Sequence, residues 1–216
     1  MKSLFKVIIV IALCSASTFI LVQMTGLITI DKIELWFNQV RGLSPIYIAT
    51  IVISLMFIDL FISIPTLATI ILAGHFMGYR YGALTAITGL MIAGTTGYIL
   101  GRIFGDKILR LILKDSEARE EVKTTFNNYG FTLILLSRAI AILPEVTTCL
   151  AGMSKMSYSK FITAWSISII PYSVLAAYAG SLSTVRNPEP AIIVTVIISV
   201  ILWTGWFFFN KAQRSN

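Results

Sequence analysis

Apolar residues fall in long blocks along this chain, separated by short polar or proline-containing breaks. Residues 5–28 form the first block, with Lys2 and Lys6 ahead of it. A signal peptide is the rival reading, but the apolar core Val7–Val22 slightly exceeds the usual length and no good A-x-A site follows. Its length predicts a retained transmembrane helix. Residues 31–42 predict an amphipathic interfacial helix carrying Trp36. Residues 46–64 are apolar apart from Asp59, and 66–78 are apolar but too short to span. Residues 83–101, 161–180 and 191–209 are long enough to cross. Residues 131–143 and 145–153 are short apolar pieces broken at Pro144.

Thirteen residues of helix rise about 20 Å, against a hydrocarbon layer of about 30 Å. The two proline-broken segments therefore predict re-entrant hairpins, about 46–79 turning near Pro65 and about 131–155 turning near Pro144; for the first, a full crossing by residues 46–64 alone is the alternative. The expected fold is an all-α polytopic membrane protein with two inverted re-entrant helical hairpins plus about four transmembrane helices. It divides into 1–44 (first span and interfacial helix), 45–180 (core) and 181–216 (last span and short basic tail).

Composition agrees with a membrane protein. Of 216 residues, 56% are hydrophobic and 12% charged, about half the charged share of a soluble domain, and mean hydropathy is +0.85. Too few polar residues exist to cover a soluble globule. The formal net charge of +7 does not point to nucleic acid, because the basic residues flank apolar spans. With both termini cytoplasmic in the cell membrane, twelve basic residues fall inside and four outside, with Arg138 left in the membrane. Cys14 and Cys149 lie far apart in apolar stretches and His75 is the only histidine. No metal site, cofactor, disulfide framework or P-loop is expected.

The two broken segments match at an offset of 79 residues: Asp59 with Arg138 and Pro65 with Pro144, then Thr69 with Thr148, Tyr79 with Tyr158 and Gly101 with Gly180. Ala73-Gly74 matches Ala151-Gly152 with a slip of one. The shared order is charge, proline, short apolar half-helix, Ala-Gly, Tyr, full span. One span separates the hairpins, so an inverted repeat is expected, as in many secondary transporters.

Here the chain resembles a known family. Ile64-Pro65, Ala73–Gly82, Gly94 and Gly97–Arg102 look like the first half of the DedA superfamily, or VTT domain. Leu136-Ser137-Arg138, Leu143-Pro144, Leu150–Met153 and Phe161 look like its second half. The resemblance covers roughly residues 45–180. It implies two opposed re-entrant helices with charges near their tips, and a role in moving lipid across the membrane. The chain departs from the pattern at Asp59, where the family often has Glu, and at Thr66-Leu67, Ala141, Glu145 and Thr147. It thus resembles a divergent bacterial branch.

Asp59, Arg138 and Glu145 are the ionisable groups within the hairpins. An Asp or Arg exposed to lipid at a helix centre costs roughly 2.5–3.5 kcal/mol, so these groups should face a watered cavity or each other. Arg138 is the expected phosphate ligand, because its planar fork makes two charge-assisted bonds. Asp59 and Glu145 are expected either to couple to protons or to form an ion pair. Thr66, Thr147 and Thr148 can offer hydroxyls at the half-helix starts, where the helix dipole favours anions; bonding to their own backbone is the competing use. Gly74, Gly78 and Gly82, like Gly97, Gly101 and Gly105, recur every four residues and predict close helix packing. His75 reads as an interfacial or hinge residue. Residues 102–130, which carry basic and acidic groups in near balance, predict an inner-surface segment touching anionic head groups.

The leading expectation is a transporter of an anionic lipid, a phospholipid or polyprenyl phosphate, between leaflets, with proton coupling as an option. The alternatives are a small-solute or oxyanion secondary transporter and a non-transporting assembly factor. The expected partners are membrane lipids. An intramembrane enzyme is disfavoured by the single histidine and the missing nucleophile–base motif.

Overall fold

The computed structural model describes residues 44–62, 64–139 and 143–183, with isolated positions from 189 to 204. The first span, the interfacial helix and most of the last span, including Trp203 and Trp206, lie outside the described residues. Within them every regular element is helical: α1 (Pro45–Asp59), α2 (Thr66–Ile112), α3 (Ser116–Leu136), a 3₁₀ turn (Ser137–Ala139), α4 (Leu143–Met153) and α5 (Tyr158–Leu182).

Helix α1 starts at Pro45, where a fixed φ suits the first turn and no N–H is missed. Its 15 residues rise about 22 Å, short of a hydrocarbon layer of about 30 Å. Ile48, Val52, Met56 and Asp59 form its buried stripe, while Ile46, Tyr47, Phe57 and Ile58 are exposed. An exposed apolar face of this kind suits lipid, not water.

Helix α2 is broken at Gly78, whose φ of 76° and ψ of 164° leave the helical region. The half-helix before the break, 66–77, is too short to cross. The full helix after it, 79–112, extends about 50 Å, more than a bilayer core needs. Its last turns, with Arg102, Asp106, Lys107 and Arg110, therefore stand beyond the apolar stretch 83–101. The polar segment 102–130, read from sequence as one surface stretch, is in fact shared between the ends of two helices. Asp115 caps α3, its carboxylate accepting from the Glu117 N–H at 3.1 Å, and Arg119 donates to the carbonyls of Leu113 and Lys114, each at 2.9 Å. Lys123 on α3 meets Asp106 on α2 at 2.8 Å.

The described residues fall into two compact units. One holds the end of α2 from Ala93, α3, the 3₁₀ turn, α4 and the start of α5 to Ile169. In it, a Cβ on Gly152 would collide with the Tyr98 carbonyl, and a Cβ on Gly101 with that of Cys149. The other holds α1, the start of α2 and α5 from Ile170. There a Cβ on Gly74 would collide with the Ala177 carbonyl, and a Cβ on Gly180 with that of Ile71. These two crossings are the same crossing displaced along the chain. Gly74 and Ile71 map to Gly152 and Cys149, and Tyr98 and Gly101 map to Ala177 and Gly180, with the one-residue slip seen in the sequence. The half-helix of each repeat thus packs, backbone to backbone, on the full helix of the other. Tyr rings repeat the theme: Tyr79 lies 6.1 Å from Tyr178 and Tyr98 lies 5.5 Å from Tyr158.

The glycine reading needs one correction. Gly78 is exposed, and a Cβ there would meet nothing within 4 Å. It is the left-handed junction between half-helix and full helix, not a packing residue. Its neighbours do pack: a Cβ on Gly82 would meet the Gly74 backbone at 2.7 Å. Gly97 is buried, and a Cβ on Gly105 would meet Met153 at 2.6 Å.

The second half-helix ends in a Schellman motif. The Met156 N–H donates to the Ala151 carbonyl at 3.1 Å and the Lys155 N–H to that of Gly152 at 3.0 Å. The left-handed residue is Lys155, at φ 57°, where glycine is usual. Lys155→Gly is expected to raise stability by about 1 kcal/mol. Gly152→Ala is expected to lower it by roughly 1–3 kcal/mol through the backbone collision. Thermal unfolding in detergent reads both.

The Asp106 carboxyl is held below its ordinary value by its hydrogen bond to Lys123 and by that group's charge, with a smaller opposing effect of burial. A lowered folded-state pKa means the contribution is present above the unfolded value, near 3.9, and fades as pH falls through the folded one. In Lys123→Met, an NMR titration should find Asp106 moved upward, back towards the ordinary carboxylate range.

Candidate functional site

Two half-helix starts position the polar groups singled out above, and each belongs to one unit. At the first, α1 ends at Asp59 and α2 begins at Thr66, after Pro65. Pro65 has no N–H to donate, and its carbonyl receives the Thr69 N–H at 3.1 Å. The Asp59 carboxylate reaches across this turn. One oxygen accepts from the Ile64 N–H at 2.6 Å and the other from the Thr66 hydroxyl at 2.8 Å. Asp59 is only 6% exposed. An acid at a helix N-terminus satisfies donors and meets the favourable end of the dipole. Asp59 and Thr66 are therefore brought together, with the carboxylate standing where an external anion would otherwise sit.

At the second start, Ser137 donates to the Ile134 carbonyl at 2.7 Å and closes α3. Arg138 follows in the 3₁₀ turn, and α4 begins at Leu143-Pro144 with Glu145 in its first turn. Here too an acid stands at the start of a half-helix. The Thr147 hydroxyl donates to the Pro144 carbonyl at 2.9 Å and that of Thr148 to the Glu145 carbonyl at 2.8 Å. Both threonines thus use their protons on the backbone, and lone pairs are what they could offer to a ligand. Arg138 lies over the Trp165 ring, 5.0 Å from its centroid, and its Nε and Nη2 are buried.

His75 stands near the end of the first half-helix. Its Nδ1 is 2.7 Å from the Ser183 carbonyl, so geometry assigns the proton to that nitrogen. The ring ties the half-helix to Ser183, the residue that follows α5. Among the described residues no three His, Cys, Asp or Glu side chains converge as metal ligands would.

Sequence reasoning missed the aromatic residues around Arg138. Tyr98 stacks on Phe161 at 4.8 Å, and Phe161 on Trp165 at 6.0 Å. The signal was present: Tyr158, Phe161 and Trp165 recur at i, i+3 and i+7, one face of a helix.

The VTT domain family model matches residues 64–182, from the residue before Pro65 to the end of α5. Undecaprenyl phosphate transporter A of Bacillus subtilis (strain 168) is 28% identical over 107 residues, which make up 46% of this chain and 54% of that protein. The chain thus spans about half the length of that relative. Uncharacterized protein YqeD of Bacillus subtilis (strain 168) is 24% identical over 185 residues, 84% of this chain and 82% of that protein. No solved structure matches. Arg138, Pro65 and Pro144 lie within the family match, whereas Asp59 precedes it.

The Asp59 contacts can be tested directly. Asp59→Ala should cost about 0.5–2 kcal/mol, as loss of a helix cap does. Hydrogen exchange should accelerate locally at residues 64–70, while α4 keeps its protection.

Proposed function

Because the chain belongs to the VTT domain family, we infer that it is a membrane transporter that moves an anionic lipid, a phospholipid or a polyprenyl phosphate, between leaflets. The observation that carries this reading is the placement of Arg138, half-buried in an apolar chain and five residues ahead of a half-helix start. A guanidinium there, next to a positive helix end, suits a phosphate and repels a cation. The relative named as an undecaprenyl phosphate transporter supports an anionic lipid as cargo. Its name belongs to that protein; the chemistry of Arg138 is what extends it here.

Asp59 and Glu145 each stand at the start of a half-helix and are the groups to which proton coupling is assigned. Protonating Asp59 would cancel the charge that the Ile64 N–H and Thr66 hydroxyl now meet, and so leave that helix end more attractive to an anion. Thr66, Thr147 and Thr148 contribute oxygen atoms at the same two turns. Lys107 and Arg110 flank a shallow groove over Ile108 and Leu111 at the end of α2. They are the groups assigned to anionic head groups at the membrane surface.

Purified protein in liposomes should move labelled phosphatidylglycerol or polyprenyl phosphate between leaflets. Arg138→Ala should slow that movement about tenfold or more, the worth of one charge-assisted hydrogen bond to a phosphate, with its melting temperature preserved. Equal rates for wild type and Arg138→Ala would reject the reading. Uptake of an inorganic oxyanion without lipid movement would replace the cargo with a solute.

A further inference from the structure

The two full helices of the repeat end at different places. Helix α5 runs from Tyr158 to Leu182, which at the offset of 79 answers to 79–103. Helix α2 continues through 104–112, about 13 Å more. The matching stretch of sequence has Pro188, Glu189 and Pro190 where α2 has Leu109, Arg110 and Leu111. The extension thus belongs to the first repeat alone. The crossing that both repeats share, at Gly101 in α2, lies before it and does not account for it.

Its two sides differ. Gly105 and Leu109 are buried. Asp106, the one acidic residue of 103–114, is drawn to Lys123 of α3 at 2.8 Å. The opposite side carries Ile103, Lys107, Arg110 and Leu111, spaced i, i+4, i+7 and i+8, one face of a helix. Leu111 is 84% exposed and Ile103 66%. Lys107 and Arg110 are exposed and make no hydrogen bond or salt bridge among the described residues. They flank a groove of about 480 Å³ floored by Ile108 and Leu111, a size fit for a head group. Water disfavours the apolar floor, and hydrocarbon disfavours the cations. The head-group layer suits both, because long basic side chains lay their stems on apolar surface and put their charges among phosphates.

We propose that residues 103–112 form a docking surface for an anionic phospholipid of the surrounding leaflet. Lys107 and Arg110 hold its phosphate, and Ile108 and Leu111 meet the upper part of its chains. Charge complementarity carries the choice of occupant: two cations face one phosphodiester, and Lys123 keeps the one nearby carboxylate, Asp106, bonded towards α3. The lipid held here is a resident ligand, not the cargo. This rests on the reading of Lys107 and Arg110 as membrane-surface groups, and it needs neither Arg138 nor lipid movement.

The test uses the full chain in micelles that contain phosphatidylglycerol and phosphatidylcholine, with native mass spectrometry reading the lipids it retains. Wild type should retain phosphatidylglycerol in preference to phosphatidylcholine. One basic residue near an anionic surface is worth about fivefold. Lys107→Gln should therefore lower the ratio about fivefold, and Lys107→Gln with Arg110→Gln about twentyfold, whereas Lys107→Arg should keep it. Both positions are exposed, so the fold should survive these changes. Equal ratios for wild type and the double variant would overturn the proposal. So would a ratio that falls in Arg138→Ala and not in the double variant, because the retained lipid would then sit at Arg138. Displacement of the lipid by inorganic phosphate would assign the groove to free phosphate and overturn lipid docking. Location is read separately, with a nitroxide attached at Leu111→Cys in a chain carrying Cys14→Ser and Cys149→Ser. In bilayers it should be reached more readily by oxygen than by a water-soluble nickel complex. The reverse order would place the groove in water and overturn the docking surface. If wild type moves no lipid between leaflets, the transport reading falls, and these two measurements still decide the surface.

Discussion

A helix that stops partway through hydrocarbon leaves backbone donors and acceptors that lipid cannot satisfy. The chain has two helices too short to cross a hydrocarbon layer, 66–77 and α4, and several of their end groups are finished by hydrogen bonds. Asp59 accepts the Ile64 N–H at the start of the first. The Schellman bonds through Lys155 and Met156 close the end of the second. Thr147, Thr148 and Ser154 return their hydroxyls to carbonyls of the same helix.

Short helices also bury little on their own and need a close neighbour. The glycine crossings supply it. Gly74 and Gly180 in one unit, and Gly152 and Gly101 in the other, let backbone meet backbone with no side chain between. The repeat is thus exchanged, each half-helix being supported by the full helix of the other repeat. An exchange of this kind ties the two halves of the sequence together at the level of packing. It also gives a physical reason for the one-residue slip. The crossing requires the Ala-Gly step to face the partner helix, whereas the proline and the charge answer to the turn before it.

Around Arg138 a different solution operates. A carboxylate can be met by N–H and O–H groups of its own turn, as Asp59 is. A guanidinium also takes a π-face, and the unit supplies one in Trp165. Trp165 reaches it because Gly94 carries no side chain and because Phe161 and Tyr98 stack behind the indole.

Much was legible along the chain. Long apolar blocks, scarce charges and two prolines in short apolar segments were enough to predict an all-helical membrane protein with interrupted helices, because length and hydropathy are local properties. The family was legible from the order of Ile64-Pro65, Ala73-Gly74, Arg138 and Leu143-Pro144. Other features needed the folded chain. The four-residue glycine spacing suggested packing throughout, yet only the backbone angles separate Gly78, a left-handed junction, from Gly74 and Gly82, which pack. The polar stretch 102–130 gave no sign of its division between α2 and α3, since both sides are helix-forming. The cap by Asp59, the tie from His75 to Ser183 and the seat of Trp165 on Gly94 join residues five to 108 positions apart. Such contacts are set by how helices cross, and a crossing is a property of two surfaces meeting, not of either sequence read alone.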